Sequence, residues 1–530
     1  MKKMISLVFI MMLGFGLYAQ QNIILIIADD VSPDYFGFYP TSGDTAKAPN
    51  IRSLLSKGIR FDMAWASPVC SPTRAGIFTG RYPFRTGVGA VISNASSPQL
   101  DTAEMSIARL LKYHAPIKYN TGSAGKWHMH SMSPNKYLYP NIMGYDFYSG
   151  NFNGAITDYY QYPRITNGVL DTVYTYATTQ TVDDALSWMD TMNTANPFFL
   201  WLAFNAPHSP YHLPPANLCD TNGLPGTTAH IQANPEKYFK AAIQAMDTEI
   251  GRLFQYLNAH NLMDSTNIIF IGDNGNGNQV AQIANPNKSK GTLYDYGVHV
   301  PMIISGPAVV NPGRVSQALV NTPDLFATLS ELGGLNNWIN YVPANKLPVD
   351  SKSLISIIKD QPVNTRTWIF TEQFNSPAIA ADGKTIRDED YHLIRFDNGN
   401  EEFYNQRIDT FENNNLLLTT MNATDISHYH FLCDSLSALV GSGSCLPLGL
   451  PSTVSPSLVE IYPNPAQDFI RIQKLSNDLV LSLELYSLSG SLHRHAFTSE
   501  MDLSGISPGY YLLKIKLGSG ILIHRSLIKE

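Results

Sequence analysis

Charge is scarce in this chain of 530 residues. Asp, Glu, Lys and Arg make up 15% of it, the net charge is −7, and no long basic run occurs. That composition argues against a general affinity for nucleic acid or for an anionic membrane, although it leaves room for a local basic pocket. Cysteine is scarcer still: Cys70, Cys219, Cys433 and Cys445 are the only four. None of them forms a CxxC pair, which speaks against a zinc or dithiol centre. Long apolar runs are almost missing too. The one at Met4 to about Tyr18 is too short to span a bilayer comfortably. Lys2 and Lys3 precede it and the small Ala19 follows, so residues 1–19 read as a signal peptide; a buried first strand or a membrane anchor is the alternative. No other segment is long enough for a transmembrane span, and there is no internal repeat.

What is present is apolar and structured. Hydrophobic residues make up 44%, enough for large cores, and the length implies two or three domains. Three unbroken apolar runs stand out: Asn22–Ala28, ending in Asp29-Asp30; Pro197–Phe204, ending in Asn205-Ala-Pro-His208; and Asn267–Gly272, ending in Asp273-Asn274. Such runs fit strands buried on both faces of a parallel sheet. Helix-like stretches at 179–192 and 235–260 lie between them, so the fold class is α/β. Open α/β sheets form their sites at the carboxyl ends of central strands. A single Asp after a strand is ordinary turn chemistry, whereas two acidic ends in one chain are more informative.

From about residue 340 the texture changes. Thr367–Thr371 and Tyr391–Phe396 predict a smaller sheet with a helix, continuing to about 440. In an exported protein Cys433 could join Cys445, closing a short loop worth ~2–3 kcal/mol; two free buried thiols fit equally. Residues 441–457 are rich in Gly, Ser and Pro and read as a linker. Short alternating strands at Phe469–Gln473, Leu481–Tyr486 and Tyr510–Lys516 then predict a small all-β module over 458–530. The expected order is leader 1–19, large unit 20–340, smaller subdomain 341–440, linker and module.

The chemistry centres on Ser67-Pro-Val-Cys70-Ser-Pro-Thr-Arg74, continuing to Thr79-Gly80-Arg81. A loop ends at Cys70 and a helix begins, with Pro72 suited to the first turn. Arg74 lies one turn on, on the same face. The helix N-terminus and Arg74 both favour negative charge at position 70. A structural cysteine ahead of a helix fits the same spacing.

Cys-Ser-Pro-Thr-Arg followed by Thr-Gly-Arg resembles the signature of the type I, formylglycine-dependent sulfatases. The similarity runs from about Asn22 to Leu416. It takes in Ala48–Ile51, Lys57–Phe61, Gly125-Lys-Trp-His128, Ala206-Pro-His208, Gly272–Gly275, Lys290–Gly297 with Val300-Pro301, and a closing block from Glu402 through Tyr404 to Asn415. The resemblance implies an alkaline-phosphatase-like domain: a large central mixed sheet flanked by helices, with a smaller C-terminal α+β subdomain and the terminal sandwich-like module. It also implies that a maturation enzyme oxidises Cys70 to formylglycine, whose hydrate attacks sulfur with one hydroxyl and ejects sulfate when the other loses its proton. Dividing the reaction in this way solves the problem of releasing sulfate from the nucleophile.

By the same resemblance Asp29, Asp30, Asp273, Asn274 and the modified Cys70 bind a metal. An all-oxygen set suits Ca²⁺, then Mg²⁺. Lys126, His208 and Lys290 surround sulfate oxygens, with His208 or Lys290 protonating the leaving oxygen. Arg74 and His128 hold and tune the diol. Taken singly, His128 and His208 also read as structural histidines. The chain departs from the family at Asp295-Tyr296 (usually Glu-Gly), His299, His130 and Arg52; His130 and His299 are expected to line the substrate pocket. The expected reaction is removal of sulfate from a sulfated polysaccharide or oligosaccharide. The rivals are a phosphatase or phosphonate monoester hydrolase of the same superfamily and a non-catalytic glycan-binding protein. Zinc phosphatases of this fold use a Ser or Thr nucleophile and extra His and Asp ligands for a second metal, whereas the strand end here is Asp-Asn.

The last 75 or so residues resemble a second family. Tyr462-Pro-Asn-Pro465, Leu485-Tyr486, Leu488-Ser-Gly490, Asp502-Leu503, Pro508-Gly-Tyr510 and Lys529 look like the C-terminal sorting domain of type IX secretion in Bacteroidetes, with a carbohydrate-binding β-module as the alternative. With the leader, this implies passage through the periplasm, recognition by the type IX machinery, and release or attachment at the cell surface.

Overall fold

The computed structural model describes residues 21–40, 43–362, 366–441, 445, 459–474, 479–487, 492–518 and 522–530. The expected leader, and the expected linker apart from residues 441 and 445, lie outside these. Among the described residues no helix is long and apolar enough to cross a membrane.

The three apolar runs are neighbours. Asn22–Ala28 lies between Phe198–Ala203 and Thr266–Gly272, parallel to both. Ile27 pairs with Ala203 and Ala28 with Gly272, so the carboxyl ends finish in line. Every residue of these three strands is buried. Alternation sends Ile23, Leu25 and Ile27 into one core with Trp201 and Phe78, and Ile24, Ile26 and Ala28 into the other with Leu200 and Leu202. Each fully buried Ile or Leu stabilises by about 1.5–3 kcal/mol, and an unbroken run is what a strand between two cores requires. Helices Ala177–Thr191 and Pro235–Ala259 cover the second face; Cys70–Thr79 and Asp324–Leu332 cover the first.

A fourth parallel strand, Asn120–Gly125, continues the row beside Phe198–Ala203, with Gly125 opposite Ala203. Its sequence, Asn-Thr-Gly-Ser-Ala-Gly, reads like a turn. The small residues are needed because neighbours come very close. A Cβ at Gly122 would meet the Trp188 ring at 2.6 Å, and one at Gly125 would meet the Ala203 carbonyl oxygen at 1.9 Å. The full sheet has ten strands and is mixed: Met302–Ser305 runs antiparallel to Thr266–Gly272, and the hairpin Tyr162–Thr166/Val169–Val173 closes the far edge.

The smaller sheet is antiparallel in chain order: Ile369–Gln373, Gly383–Arg387, Tyr391–Phe396 and Glu401–Asn405. Helix Ala423–Val440 packs on it, started by a capping box between Asn422 and Asp425. Of the two readings open for the cysteines, the bonded one holds: Cys433 joins Cys445, with a Cα–Cα separation of 5.7 Å.

Residues 447–530 form a separate compact unit. A three-stranded and a four-stranded antiparallel sheet enclose a core that includes Ile470, Leu483, Leu485, Leu503, Leu513 and Ile515.

Candidate active site

The four aligned strand ends deliver four sets of polar groups to one edge of the sheet. Asp29 and Asp30 follow the first strand, Lys126 and His128 the strand ending at Gly125, Asn205–His208 the strand ending at Ala203, and Asp273 with Asn274 the strand ending at Gly272. Backbone bonds between successive ends hold the row: Asp29 N–H to the Ala206 carbonyl (3.1 Å), Asp273 N–H to that of Ala28 (3.1 Å) and Lys126 N–H to that of Ala203 (2.8 Å).

Helix Cys70–Thr79 enters this row from its N-terminus and is buried along its whole length. Val69 ahead of it is extended, Pro72 sits in the first turn, and Gly80 ends it in the left-handed region at φ 73°. Within the helix, Arg74 is out of contact with solvent. Its Nε and Nη2 donate to one oxygen of Asp273 at 3.1 and 2.8 Å, and Nη1 donates to the Lys126 carbonyl at 2.9 Å. One side chain therefore ties the helix to two strand ends. Phe78, one turn on, is wedged edge-on between Trp127 and Trp201.

Cys70 is buried at the start of the helix, with its sulfur 3.1 Å from His128 Nδ1. The other ring nitrogen of His128 lies 3.1 Å from the Ile92 carbonyl, which can only accept, so Nε2 carries the proton and Nδ1 is free to accept one. Burial, with Lys126 and Arg74 nearby, pushes the His128 pKa well below the ordinary value, so the ring is neutral. Burial likewise pushes the Cys70 thiol up, with Lys126 and Lys290 opposing. The His128 backbone is left-handed, φ 54°, and its ring lies over Gly154, where a Cβ would come within 2.5 Å of Cε1. The Asn-Phe-Asn-Gly stretch gave no hint of that role.

Three carboxylates face three cations. Lys126 Nζ donates to Asp29 at 2.5 Å, and Lys290 Nζ to Asp30 at 2.7 Å. His208 Nε2 lies 3.5 Å from Asp30; its Nδ1–H goes to the Ser209 carbonyl at 2.6 Å. Asp30 itself has φ 65°, held by its N–H on Asp273 Oδ1 (3.1 Å) and by Asn274 Nδ2 on its carboxylate (2.7 Å). Burial disfavours its charge, yet His208, Lys290 and Lys126 outweigh that and hold its carboxyl well below the usual range. Asp29 goes the other way, up to about 6, because burial and the neighbouring Asp273 outweigh Lys126.

Two acceptors in this cluster are buried without a hydrogen-bond partner, Asp29 Oδ1 and Asn274 Oδ1. An orphaned buried acceptor costs about 1–3 kcal/mol. Donor atoms of Asp29, Cys70 and Asp273 lie within 4.8 Å of one another, as do those of Asp29, Asp30 and His208. Hard oxygens dominate, so the residues fit a hard divalent cation. All ten residues expected from the sequence thus meet in one site. Lys290 and His208 are its partly exposed members, and a cleft of about 330 Å³ opens beside Lys290, lined by Gly277, Asn278, Pro286, Asn287 and Ser289.

The departures from the family pattern have structural explanations, and the expectation that His130 and His299 line the pocket is not met. His130 is a core residue: it accepts from Trp127 Nε1 at 3.0 Å, lies 2.8 Å from the Leu100 carbonyl and stacks along Trp127. His299 bridges the Asp295 carboxylate (3.1 Å) and the Asp62 carbonyl (2.8 Å). Asp295 also accepts from Trp65 Nε1 and Arg387, and Tyr296 donates to Asp34 at 2.6 Å. Arg52 is exposed in the short helix Pro49–Ser53.

Comparison with known proteins gives a consistent picture. The family model described as Sulfatase matches residues 21–335, N-sulphoglucosamine sulphohydrolase, C-terminal matches 288–431, and Secretion system C-terminal sorting domain matches 460–530. Arylsulfatase J of Mus musculus is 27% identical over 335 residues, 59% of this chain and 52% of that protein. N-acetylgalactosamine-6-sulfatase of Homo sapiens is 26% identical over 349 residues, 59% of this chain and 62% of that one. The chain thus spans between half and two thirds of the length of these two relatives. The ulvan-active sulfatase of Formosa agariphila is 25% identical over 421 residues, covering 75% and 77%. Among solved structures, Ps i-CgsB with k-i-k-neocarrahexaose superposes with a TM-score of 0.67 at 24% identity, covering 82% of this chain and 96% of that one, which shows the shared fold.

The burial of His130 has a measurable consequence. Burial pushes its pKa from 6.5 down to about 4, with the Leu100 carbonyl opposing and Lys136 adding to the shift. As pH falls, the unfolded chain takes up this proton first. The contribution is therefore intact above the unfolded pKa near 6.5 and is lost as pH falls toward 4, by up to about 3 kcal/mol. Urea unfolding across that range should show His130→Gln with a flatter pH dependence than the wild type; parallel curves would exclude His130 as the source.

Proposed function

Because the chain belongs to the sulfatase family, we propose that it hydrolyses sulfate esters of carbohydrates, with Cys70 oxidised to formylglycine as nucleophile. The observation that carries this reading is the convergence of four strand ends on the N-terminus of the Cys70 helix, with Arg74, Lys126 and Lys290 and two orphaned acceptors around it. A sulfated glycan fits the names of the relatives, one active on ulvan and one an N-acetylgalactosamine-6-sulfatase.

Each residue has a task in that reaction. The helix N-terminus, Lys126, Lys290 and His208 bind the anionic sulfate group and orient it over residue 70. His128 Nδ1 accepts the proton of a hydroxyl at residue 70, steadied by its Nε2–H on Ile92. Arg74 keeps Asp273 and the Lys126 backbone in register. Lys290 and His208 border the open side, so one of them gives its proton to the departing oxygen. The hydrated aldehyde at residue 70 supplies two hydroxyls, one to attack sulfur as the ester S–O bond breaks, the other to lose its proton as sulfate leaves and the aldehyde returns. A divalent cation held by Asp29, Asp30, Asp273, Asn274 and residue 70, Ca²⁺ before Mg²⁺, would polarise the sulfate and favour ionisation of the diol.

The test is sulfate release beside phosphate release from matched aryl esters. Wild type should release sulfate, and Cys70→Ala should not. Mass spectrometry of the Cys70 peptide should show a loss of roughly 18 Da against cysteine, as replacing thiol by aldehyde at the nucleophile requires. Full activity with an intact thiol would defeat the proposal, and faster phosphate release would favour a phosphatase.

The cation has its own test. Metal analysis should find one divalent ion per chain, and calcium should raise the melting temperature of the wild type but not of Asn274→Ala. Two zinc ions per chain would contradict this assignment.

The C-terminal unit is a secretion sorting domain by its match, which points to an exported protein. The finer reading is passage through the periplasm, handling by the type IX machinery and release or attachment at the cell surface, after a maturation enzyme has acted on Cys70. A chain lacking residues 458–530 should keep its turnover on an aryl sulfate, since the module has its own core, and should accumulate in the periplasm of the native host. Unchanged secretion with weaker turnover only on polymeric substrate would make the module a carbohydrate binder.

A further inference from the structure

Lys290 stands in a surface segment, so its reach to Asp30 depends on how that segment is held. Two backbone bonds tie it to the catalytic side: Lys290 N–H to the Asn276 carbonyl (2.9 Å) and Gly291 N–H to the Pro68 carbonyl (2.8 Å). Beyond it, Trp65 Nε1 and Arg387 hold the Asp295 side chain, and a further set of ties, reaching both sides of Lys290, meets at Glu412. This side chain is buried. Its carboxylate accepts from the Asp295 N–H at 3.0 Å and from Gln406 Nε2 at 2.6 Å, and it meets His392 Nδ1. Its main-chain carbonyl accepts from Lys288 Nζ. The Lys288 ammonium also lies over the rings of Tyr294, 4.3 Å from the centroid, and Tyr404, 5.0 Å. Leu293, between these anchors, packs with Ile394 and Tyr404.

Glu412 therefore grips the segment on both sides of Lys290, at Lys288 before it and at Asp295 after it. It does so from a left-handed backbone, φ 59°, a conformation glutamate seldom adopts and one that persists only where surrounding contacts over-determine it. Here its buried contacts point into the Lys290 segment and into the sheet behind it. A lysine on a flexible stem loses little by wandering unless its backbone is fixed, and the ammonium needs a fixed backbone to act at one oxygen.

We propose that Glu412 is the positioning residue for Lys290, through which the smaller sheet sets the reactivity of the catalytic edge. The proposal rests on the reading of the site as a sulfate ester hydrolase in which Lys290, beside the sulfate, gives its proton to the leaving oxygen. Glu412 touches neither. Its effect must therefore travel through Lys290 and vanish when Lys290 is absent.

That requirement defines a double-mutant cycle on the full-length, matured protein with two probes, 4-nitrophenyl sulfate and the less activated phenyl sulfate. Glu412→Gln keeps the shape but turns an amide N–H toward groups that donate. It should lower kcat on phenyl sulfate by about tenfold or more, with a smaller loss on 4-nitrophenyl sulfate, because help to a leaving group matters most where the group is poor. The same substitution in the Lys290→Ala background should cost less than about twofold. Lys288→Met, which cuts the second grip and leaves the carboxylate network alone, should show the same non-additivity and carries the test if Glu412→Gln folds poorly by thermal unfolding. Equal losses with and without Lys290, or equal losses on the two esters, would overturn the proposal. A wild-type protein that releases sulfate from neither ester would instead refute the reading beneath it.

Discussion

Arg74 has no contact with solvent, and its guanidinium stays charged, so its partners are obligatory. Burying an unpaired ion costs several kcal/mol, and removing one partner of a buried pair costs about 3–5 kcal/mol. Asp273 meets Nε and Nη2 with one oxygen, and the Lys126 carbonyl takes Nη1. Those two partners belong to strand ends on opposite sides of Asn22–Ala28. The helix that begins at Cys70 therefore cannot slide or rotate without stranding a charge, and residue 70 inherits that precision. Its distance to His128, and the meeting of Asp29, Cys70 and Asp273, follow from a constraint one helical turn away.

The second constraint is the register of the parallel strands. With Gly125 opposite Ala203, Ala203 opposite Ile27 and Ala28 opposite Gly272, the four strands end within one residue of one another, and side chains remote in sequence leave the sheet at nearly the same height. The tight end at Gly125 and the helix against Gly122 leave no volume for a side chain, so close approach of backbones substitutes for hydrophobic bulk in the fourth strand. The strand ends are held by backbone bonds within the sheet, whereas the Lys290 segment takes part of its support from beside a separate sheet, at Glu412.

That division explains what could be read beforehand. The three apolar strands announce themselves because burial on both faces demands unbroken Ile, Leu and Phe. The residues that end them were therefore legible, and so was the cysteine motif. Asn120–Gly125 was not recognised as a strand, since glycine and serine signal a turn and the reason for them, the Trp188 ring and the Ala203 carbonyl, lies far off in the chain. His130 and His299 stand out in the sequence because they break a family pattern; in three dimensions His130 is held by Trp127 and the Leu100 carbonyl, and His299 by Asp295 and the Asp62 carbonyl. The support of Lys290 by Glu412 joins residues more than a hundred positions apart, and no periodicity encodes such a contact. The alternating strands of the C-terminal module were legible for the opposite reason, because a thin sandwich has one wet face and one dry face on every strand.

Charge balance links these pieces to the chemistry. Asp29, Asp30 and Asp273 are matched by Arg74, Lys126 and Lys290, each pair in direct contact. Three carboxylates against three cations leave the protein groups near neutrality, with His208 beside them, so the cluster can be buried without any ion. On the proposed reading, the orphaned oxygens of Asp29 and Asn274 would help to hold a divalent cation, which would give the site a surplus of positive charge in surroundings that screen it poorly. A sulfate ester brings one negative charge, and the sulfate that leaves carries two. A site balanced without the cation, and positive with it, would hold the anion more tightly as negative charge gathers on the sulfate oxygens. Stabilisation that grows in this direction accelerates a reaction rather than merely binding its substrate.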